Sequence, residues 1–261
     1  MILPIYQVDA FTDQLFGGNP AAVCPLEQWL DTATMQSIAA ENNLAETAFF
    51  VAHGSGFELR WFTPAMEVEL CGHATLATAH VLFTHLGYKA DQIRFFTRSG
   101  DLIVEKASNG YRMDFPSQPP VTQGVPSGLL PALEIEKASY VGQSVNYYFV
   151  ALADQKAVER IDPDMRALAK LEKIAVIISA PGETVDFVSR LFAPKAGIDE
   201  DPVTGSAHCA LIPYWAEQLG KQHLTAWQIS ARKGVLDCKL VDDRVWIGGN
   251  AITYLEGQIY V

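Results

Sequence analysis

The chain has 261 residues, 49% of them hydrophobic and 19% charged, which is enough for one large domain or two ordinary ones with a packed core. The net charge of -11 and the scattering of the 19 lysines and arginines exclude a general nucleic-acid-binding surface. No apolar run approaches the roughly 18 residues that a membrane span needs.

The N-terminal segment reads as a first strand, because it lacks the basic start of a signal peptide. The four cysteines show no CxxC spacing. We therefore expect free thiols in a reducing cytoplasm.

The first half of the chain predicts strands alternating with two helices. Gly87 stands where a glycine ends the second of these helices. Strands are predicted over residues 21–24, 44–51, 60–64, 93–97, 102–105 and 112–115, and helices over 34–42 and 74–86.

The second half predicts the same order of elements. Gly220 takes the place of Gly87 after the second helix. Strands are predicted over residues 147–152, 174–179, 190–194, 228–231, 236–240 and 244–247, and helices over 164–172 and 206–219.

An internal repeat explains this parallel. Shifting the chain by 130 residues places Arg60 on Arg190, Phe62 on Phe192 and Met35 on Met165. The shared register predicts two similar α/β halves, residues 1–115 and 130–247, with residues 251–261 returning to the first. Residues 116–129, rich in proline and glycine, are predicted to link them.

The fold class predicted is mixed α/β, with each half a sheet rolled around a central helix. The helices over residues 74–86 and 206–219 carry many small residues and few charges, as expected of helices wrapped by sheet. A crevice between two such halves is a favoured place for a ligand.

Glu46 is the first candidate for chemistry, because it interrupts an otherwise apolar strand. The 130-residue shift pairs it with Val176, so one copy of the position is a carboxylate and the other aliphatic. A lone buried carboxylate costs several kcal/mol, and a sequence rarely keeps one without a use. Glu46 is either a general base or a strand-edge residue that reaches solvent.

Two turns that open helices form the second candidate feature. Gly72 and His73 begin one helix, and Asp201, Gly205 and Ser206 precede the other. The free N–H groups and the dipole at a helix start favour an anion, so the pair suits a carboxylate substrate. Ordinary capping by Thr204 or Ser206 is the alternative.

Metal and nucleotide sites are not predicted. His73 and His80 would share a helix face, but no third ligand stands at a spacing typical of zinc. His73 is therefore either a hydrogen-bonding partner of the substrate or a cap residue. The chain also lacks both common glycine-rich nucleotide fingerprints.

Four motifs resemble the PhzF-like phenazine-biosynthesis family, in order along nearly the whole chain. They are Gly17-Gly18-Asn19-Pro20-Ala21-Ala22-Val23, Asn43-Leu44-Ala45-Glu46-Thr47-Ala48-Phe49, Cys71-Gly72-His73-Ala74-Thr75 and Asp201-Pro202-Val203-Thr204-Gly205-Ser206-Ala207.

The resemblance implies the diaminopimelate-epimerase-like fold, no cofactor and often a homodimer. It also implies an isomerase that moves a proton between ring carbons of a dihydro-hydroxyanthranilate. Matched residue by residue, it assigns acid/base chemistry to Glu46, with His73 and Asp201 as polar partners. It assigns substrate binding to four positions: Asn19, Gly72, Gly205 and Ser206.

Two alternatives remain open at this point. A racemase of this fold uses two thiols, and Cys71 stands where one belongs, but the 130-residue shift pairs it with Asp201, and Cys209 lies about a turn into its helix. A protein that binds a small acid without turning it over is the other alternative, and the retained Glu46, His73 and Asp201 argue against it.

Overall fold

The computed structural model describes residues 1–122 and 126–261, so part of the predicted linker, residues 123–125, lies outside the described residues. The chain divides into two compact units, one of Met1–Asp114 with Gly248–Val261 and one of Phe115–Ile247. Strands β8 (Gly110–Pro116) and β17 (Arg244–Gly249) run across the two boundaries.

The first unit is a mixed sheet with two helices. Its remaining strands are β1 (Ile2–Ala10), β2 (Asn19–Leu26), β3 (Glu46–His53), β4 (Gly56–Phe62), β5 (Glu67–Val68), β6 (Gln92–Thr97), β7 (Gly100–Ala107) and β18 (Ala251–Tyr260). Its helices are α1 (Thr32–Asn42) and α2 (Gly72–Thr84). Parallel pairs β2–β3 and β4–β6 are bridged by α1 and α2, and the other neighbours are antiparallel.

Local chemistry fixes the ends of these helices. The Asp31 side chain accepts the N–H of Thr34 at the start of α1, and Asn43 closes it in the left-handed conformation. Helix α2 ends at Thr84, and Gly87 follows with φ of +66°. The predicted end at residue 86 was two residues too late.

Helix α2 is the buried helix that the small residues predicted. Every residue from 72 to 82 is buried, and the helix contacts β1, β2, β3 and β18. Its buried hydroxyls bond within the helix, Thr75 to the Cys71 carbonyl at 2.6 Å and Thr78 to the Ala74 carbonyl at 2.7 Å. Both hydroxyls therefore keep a hydrogen-bond partner although they are buried.

The second unit repeats this plan. Its remaining strands are β9 (Val121–Thr122), β10 (Tyr140–Gln143), β11 (Tyr147–Ala151), β12 (Ala175–Pro181), β13 (Phe187–Ala193), β14 (Ile198–Asp201), β15 (His223–Gln228) and β16 (Gly234–Val241). Its helices are α3 (Leu129–Ala132), α4 (Gln155–Glu159), α5 (Met165–Leu168) and α6 (His208–Leu219), with a 3-10 turn at Pro194–Ala196.

The strand pairings match one for one. Parallel β11–β12 and β13–β15 correspond to β2–β3 and β4–β6, and antiparallel β12–β13, β13–β14 and β15–β16 correspond to β3–β4, β4–β5 and β6–β7. The fold class predicted from the sequence is therefore correct.

Two predicted elements of the second unit were wrong. The helix predicted over residues 164–172 is only the four-residue α5, which Asp164 caps. The separate short helix α4, capped by Asp154 and followed by Pro163, was not predicted. The strand predicted over residues 228–231 lies earlier in the chain. The observed strand is β15, which ends at Gln228, the residue where the predicted strand was to begin.

The pairing of Glu46 with Val176 was also wrong by one residue. Arg60 and Arg190 are equivalent residues of β4 and β13. Arg60 lies opposite Phe49 of β3, and Arg190 lies opposite Ile178 of β12, so β3 and β12 correspond at a shift of 129 residues rather than 130. Ala175 takes the place of Glu46. A slip of one residue matters because neighbouring side chains on a strand point to opposite faces.

Candidate active site

Glu46 opens strand β3, directly after the turn that ends α1. It pairs in register with Ala21 of β2, and its side chain is 13% exposed. The next four residues of the strand are buried. The carboxylate therefore stands at the rim of an apolar strand, as the sequence indicated.

His73 is the second residue of α2 and lies against Glu46. Its Nε2 is 3.0 Å from Glu46 Oε2, and its side chain is 5% exposed. On the other side of the ring, the Asn19 amide lies 3.2 Å from Nδ1. Two predicted site residues thus hold the imidazole from both sides.

Asn19 owes its position to the glycines before it. Gly18 has φ of +59°, and a Cβ there would lie 2.1 Å from the Ala10 carbonyl oxygen. Only glycine fits this turn. The turn delivers Asn19, fully buried, to the start of β2.

Cys71 completes the cluster as the N-cap residue of α2. Its Sγ lies 3.5 Å from His73 Nδ1 and 3.9 Å from Nε2. Burial, together with the charge of Glu46, raises the pKa of this thiol to about 11. The thiol is therefore neutral at pH 7, unlike the thiolate that a cysteine base requires.

The charge of His73 follows from these neighbours. Burial alone would lower its pKa, but Cys71 and Glu46 raise the pKa well above the usual histidine value. A thiol with a pKa near 11 carries no charge at pH 7, so we attribute the rise to the Glu46 carboxylate. The result is an imidazolium–carboxylate pair.

Gly72 begins α2 without a side-chain cap, since Cys71 makes no capping hydrogen bond to the first turn. The first N–H groups of a helix have no partner within it, and the dipole adds partial positive charge. This end of α2 is thus suited to an anion beside Glu46 and His73.

The second unit holds the other predicted residues in one short segment. Asp201 ends β14 and accepts the hydroxyl of Thr204. The buried Gln228 side chain donates to the Asp201 carbonyl at 2.7 Å and accepts the Thr204 N–H at 2.8 Å. The loop from 201 to 204 is therefore fixed by a side chain that the sequence did not single out.

Gly205 and Ser206 lie in the turn before α6, and α6 has no side-chain cap. Ser206 does not cap the helix, because its hydroxyl lies 2.8 Å from the Tyr147 hydroxyl. Burial raises the pKa of Tyr147, so the phenol stays neutral. Tyr147 was missed because an aromatic residue at a strand start carries no functional signal in the sequence.

The other histidines of α2 are used elsewhere. His80 lies within hydrogen-bonding distance of Tyr111 and Thr253, at 3.0 and 2.9 Å, and burial lowers its pKa to about 4. His85 contacts the same Thr253 hydroxyl at 2.7 Å. These contacts attach the end of α2 to β18 and β8.

Comparison with known proteins identifies the family. The model of the phenazine biosynthesis-like protein family matches residues 8–257. An uncharacterized isomerase of Pseudomonas aeruginosa is 49% identical over all of both chains, and one of Halalkalibacterium halodurans is 44% identical over 99% of both. The chain belongs to the phenazine biosynthesis-like family, and it is an enzyme of the isomerase class.

Solved structures agree. A PhzF-family protein of Enterococcus faecalis superposes with a TM-score of 0.96 at 46% identity, covering all of both chains. A hydroxyproline epimerase of Agrobacterium vitis superposes at 0.60 with 9% identity, covering 99% of this chain and 92% of the epimerase, which shows a shared fold alone. Among the helices of the described residues, none has the length and apolar content that crossing a bilayer requires.

Proposed function

We propose that this isomerase moves a proton between two carbons of a small cyclic carboxylic acid, with Glu46 as its single acid/base and without a cofactor. The observation that carries the proposal is the contact of Glu46 Oε2 with His73 Nε2 at 3.0 Å beside an uncapped helix start. The base and an anion site thus lie within the same few residues.

The reaction needs only one carboxylate. Glu46 takes a proton from a carbon next to a double bond, and the electron pair shifts along the conjugated system of the substrate. The proton now held by Glu46 can exchange with solvent before Glu46 gives a proton to a second carbon, so the substrate loses one proton and gains one. General acid/base catalysis of this kind contributes about 10²–10⁴-fold in rate.

His73 holds Glu46 in place. Its Nε2 lies 3.0 Å from Glu46 Oε2. Asn19 orients the ring, since it approaches Nδ1 at 3.2 Å while Nε2 faces Glu46. In this proposal His73 and Asn19 act on the base, and the Gly72 N–H binds the substrate carboxylate.

The second unit supplies the remaining predicted roles. Asp201 is proposed as the second polar partner, and Gly205 and Ser206 as binders of the substrate. Their fixed geometry supports this, because Gln228 holds the loop and Tyr147 holds the Ser206 hydroxyl. A dihydro-hydroxyanthranilate-like acid is the substrate class that the family resemblance implies.

A two-thiol racemase remains the alternative, but the thiols do not favour it. Burial raises the pKa of Cys71 to about 11 and that of Cys209 to about 12, so neither is a ready base at neutral pH. A cytoplasmic location and a homodimer also stay predictions.

The test is deuterium exchange into candidate acids. The protein is incubated in D2O with a set of cyclic unsaturated carboxylic acids, and label entering carbon positions is followed by NMR. Glu46→Gln keeps the shape of the side chain but removes the base. It should slow exchange by about 10²–10⁴-fold with little change in binding.

The matched control is Glu41→Gln, which removes an exposed carboxylate from the nearby helix α1. This variant should exchange label at the wild-type rate. If Glu46→Gln exchanged as fast as the control, the proposed base would be wrong. Loss of exchange in Cys71→Ser instead would support the racemase.

A further inference from the structure

Three different side chains converge at the start of α2 with donors that metal ions use. Glu46, Cys71 and His73 each offer one ligand atom, and these atoms lie within 4.8 Å of one another. Each residue stands on a fixed element: a strand start, a helix cap and the first turn of that helix. Such placement keeps the donors together without a flexible loop.

The donor types select among metal ions. Thiolate and imidazole are ligands of zinc and similar soft or borderline ions, whereas magnesium and calcium take oxygen ligands. Three protein ligands with a fourth position open is the ligand count of catalytic zinc sites. The chemistry therefore favours a zinc-class ion.

The separations are close to those of a tetrahedral shell. With bonds of about 2.0–2.3 Å, neighbouring ligand atoms around zinc lie about 3.3–3.6 Å apart. His73 Nε2 is 3.0 Å from Glu46 Oε2 and 3.9 Å from Cys71 Sγ. Binding would require Cys71 to turn toward the other two donors.

Two further observations point to a ligand. Glu46 Oε2 is fully buried, and its contact with His73 lacks the alignment of a directed hydrogen bond. Asn19 lies 3.2 Å from His73 Nδ1, and rotation of its amide would present Oδ1 to the Nδ1–H. A carbonyl on the second ring nitrogen is the usual outer partner of a metal-bound histidine.

We propose that Glu46, Cys71 and His73 bind one soft divalent ion of the zinc class. The ion displaces the proton of the Cys71 thiol and is coordinated by a carboxylate oxygen of Glu46. The sequence predicted no metal site because His73 and His80 have no third ligand at a spacing typical of zinc, and in the structure His80 contacts Tyr111 and Thr253 instead. The binding site does not rest on the proposed isomerase mechanism. An enzyme that uses Glu46 as its base would be inhibited by the ion.

The test uses Co²⁺ as a spectroscopic probe of the whole metal-free protein. Titration should saturate at one ion per chain, with the intense near-ultraviolet absorption of a cobalt–thiolate bond, and Zn²⁺ should displace the probe. Cys71→Ala should abolish that absorption and weaken Zn²⁺ binding, measured by calorimetry, by more than about 10-fold.

Cys24→Ala is the matched control, because Cys24 is also a buried thiol of the first unit. It lies in the hydrophobic cluster that packs against α1, away from the proposed metal ligands. This variant should bind as the wild type does. Glu46→Gln, which preserves shape, should keep the thiolate absorption and bind Zn²⁺ more weakly, and it gives a result even if Cys71→Ala does not fold.

Three outcomes would overturn the metal site: no thiolate absorption at saturation, the same absorption in Cys71→Ala, or wild-type affinity in Glu46→Gln. None of them bears on the isomerase, because no substrate is present in these titrations. Failure of the proposed function would appear only in the deuterium exchange.

Discussion

The starts of α2 and α6 carry the same residue in different chemical states. His73 and His208 each lie in the first turn of the long helix of their unit. His73 faces Glu46, and its pKa stands well above the usual value. His208 is completely buried, lies 2.8 Å from the Thr204 carbonyl oxygen, and has a pKa lowered to about 4 by burial.

One carboxylate accounts for this difference. The position of Glu46 is Ala175 in the second unit, where the strand is apolar from its first residue. The order of strands and helices repeats in the second unit, whereas the negative charge of Glu46 has no counterpart there. Duplication of a scaffold can thus leave one copy with an ion pair and the other with a neutral, hydroxyl-bearing turn.

The largest expected effect concerns the ion pairs beside these turns. Arg190 donates two bonds to Glu200 and also bonds the Val158 and Ile161 carbonyls. Arg190→Met would leave Glu200 without this partner and should lower the free energy of unfolding by about 3–5 kcal/mol, measured by urea denaturation.

The first unit offers the matched variant. Arg60 makes the same paired contact with Glu67, but Arg98 also reaches Glu67 at 3.0 Å. Arg60→Met should therefore cost less than Arg190→Met, about 2 kcal/mol. Equal losses would mean that neither Arg98 nor the carbonyl contacts of Arg190 make the two substitutions differ in cost.

The next effect tests the neutral state of His208. The pKa of His208 is 6.5 in the unfolded chain and about 4 in the folded protein. At a pH between these two values, the unfolded chain binds a proton at His208 that the folded protein does not. Stability should therefore fall as the pH drops through this range, by about 3 kcal/mol for this residue. His208→Gln keeps a donor near the Thr204 carbonyl and should remove that share of the acid destabilisation.

Urea denaturation at pH 7, 5.5 and 4.5 measures the slope for both proteins. His80 should maintain a slope in the variant, because its pKa is also about 4. An unchanged slope in His208→Gln would show that His208 is protonated in the folded protein at these pH values.

The smallest effect identifies the source of charge on His73. Cys71→Ser should leave the His73 pKa raised, because the native thiol is already neutral below a pKa of about 11. Glu46→Gln should lower that pKa. Histidine NMR titration measures the pKa of His73 in both variants. If the pKa of His73 were no longer raised in Cys71→Ser, the negative charge that raises it would belong to a Cys71 thiolate.

Much of the fold could be predicted because its signals are local. Strand alternation, small residues in α2 and the Arg60–Arg190 match give the fold class, and Gly220 ends α6 with φ of +61° as expected. The register failed where connections differ in length. One 11-residue helix in the first unit corresponds to α4 and α5 in the second, so a single shift could not align every strand.

The candidate site divides in the same way. Glu46 was visible because a carboxylate in an apolar strand is unusual, and its contact with His73 is the one that the family resemblance implied. Gln228 and Tyr147 were not visible, since each acts through a partner distant in the sequence, Asp201 and Ser206. Long-range hydrogen bonds leave no periodic trace.

The pairing of β1 with β18 has a consequence for synthesis. Strand β1 pairs along its length with residues 251–260, so the sheet of the first unit is incomplete until those residues are made. At about 5–20 residues per second, ribosomal synthesis separates these strands by roughly 12–50 s.

The second unit is continuous from Phe115 to Ile247 and needs no later residues. All of its residues can therefore be made before the last strand of the first unit, although the first unit begins the chain. Buried residues of β1 such as Val8 and Ala10 must wait for their last strand. The first unit is thus the one that stays incomplete while synthesis proceeds.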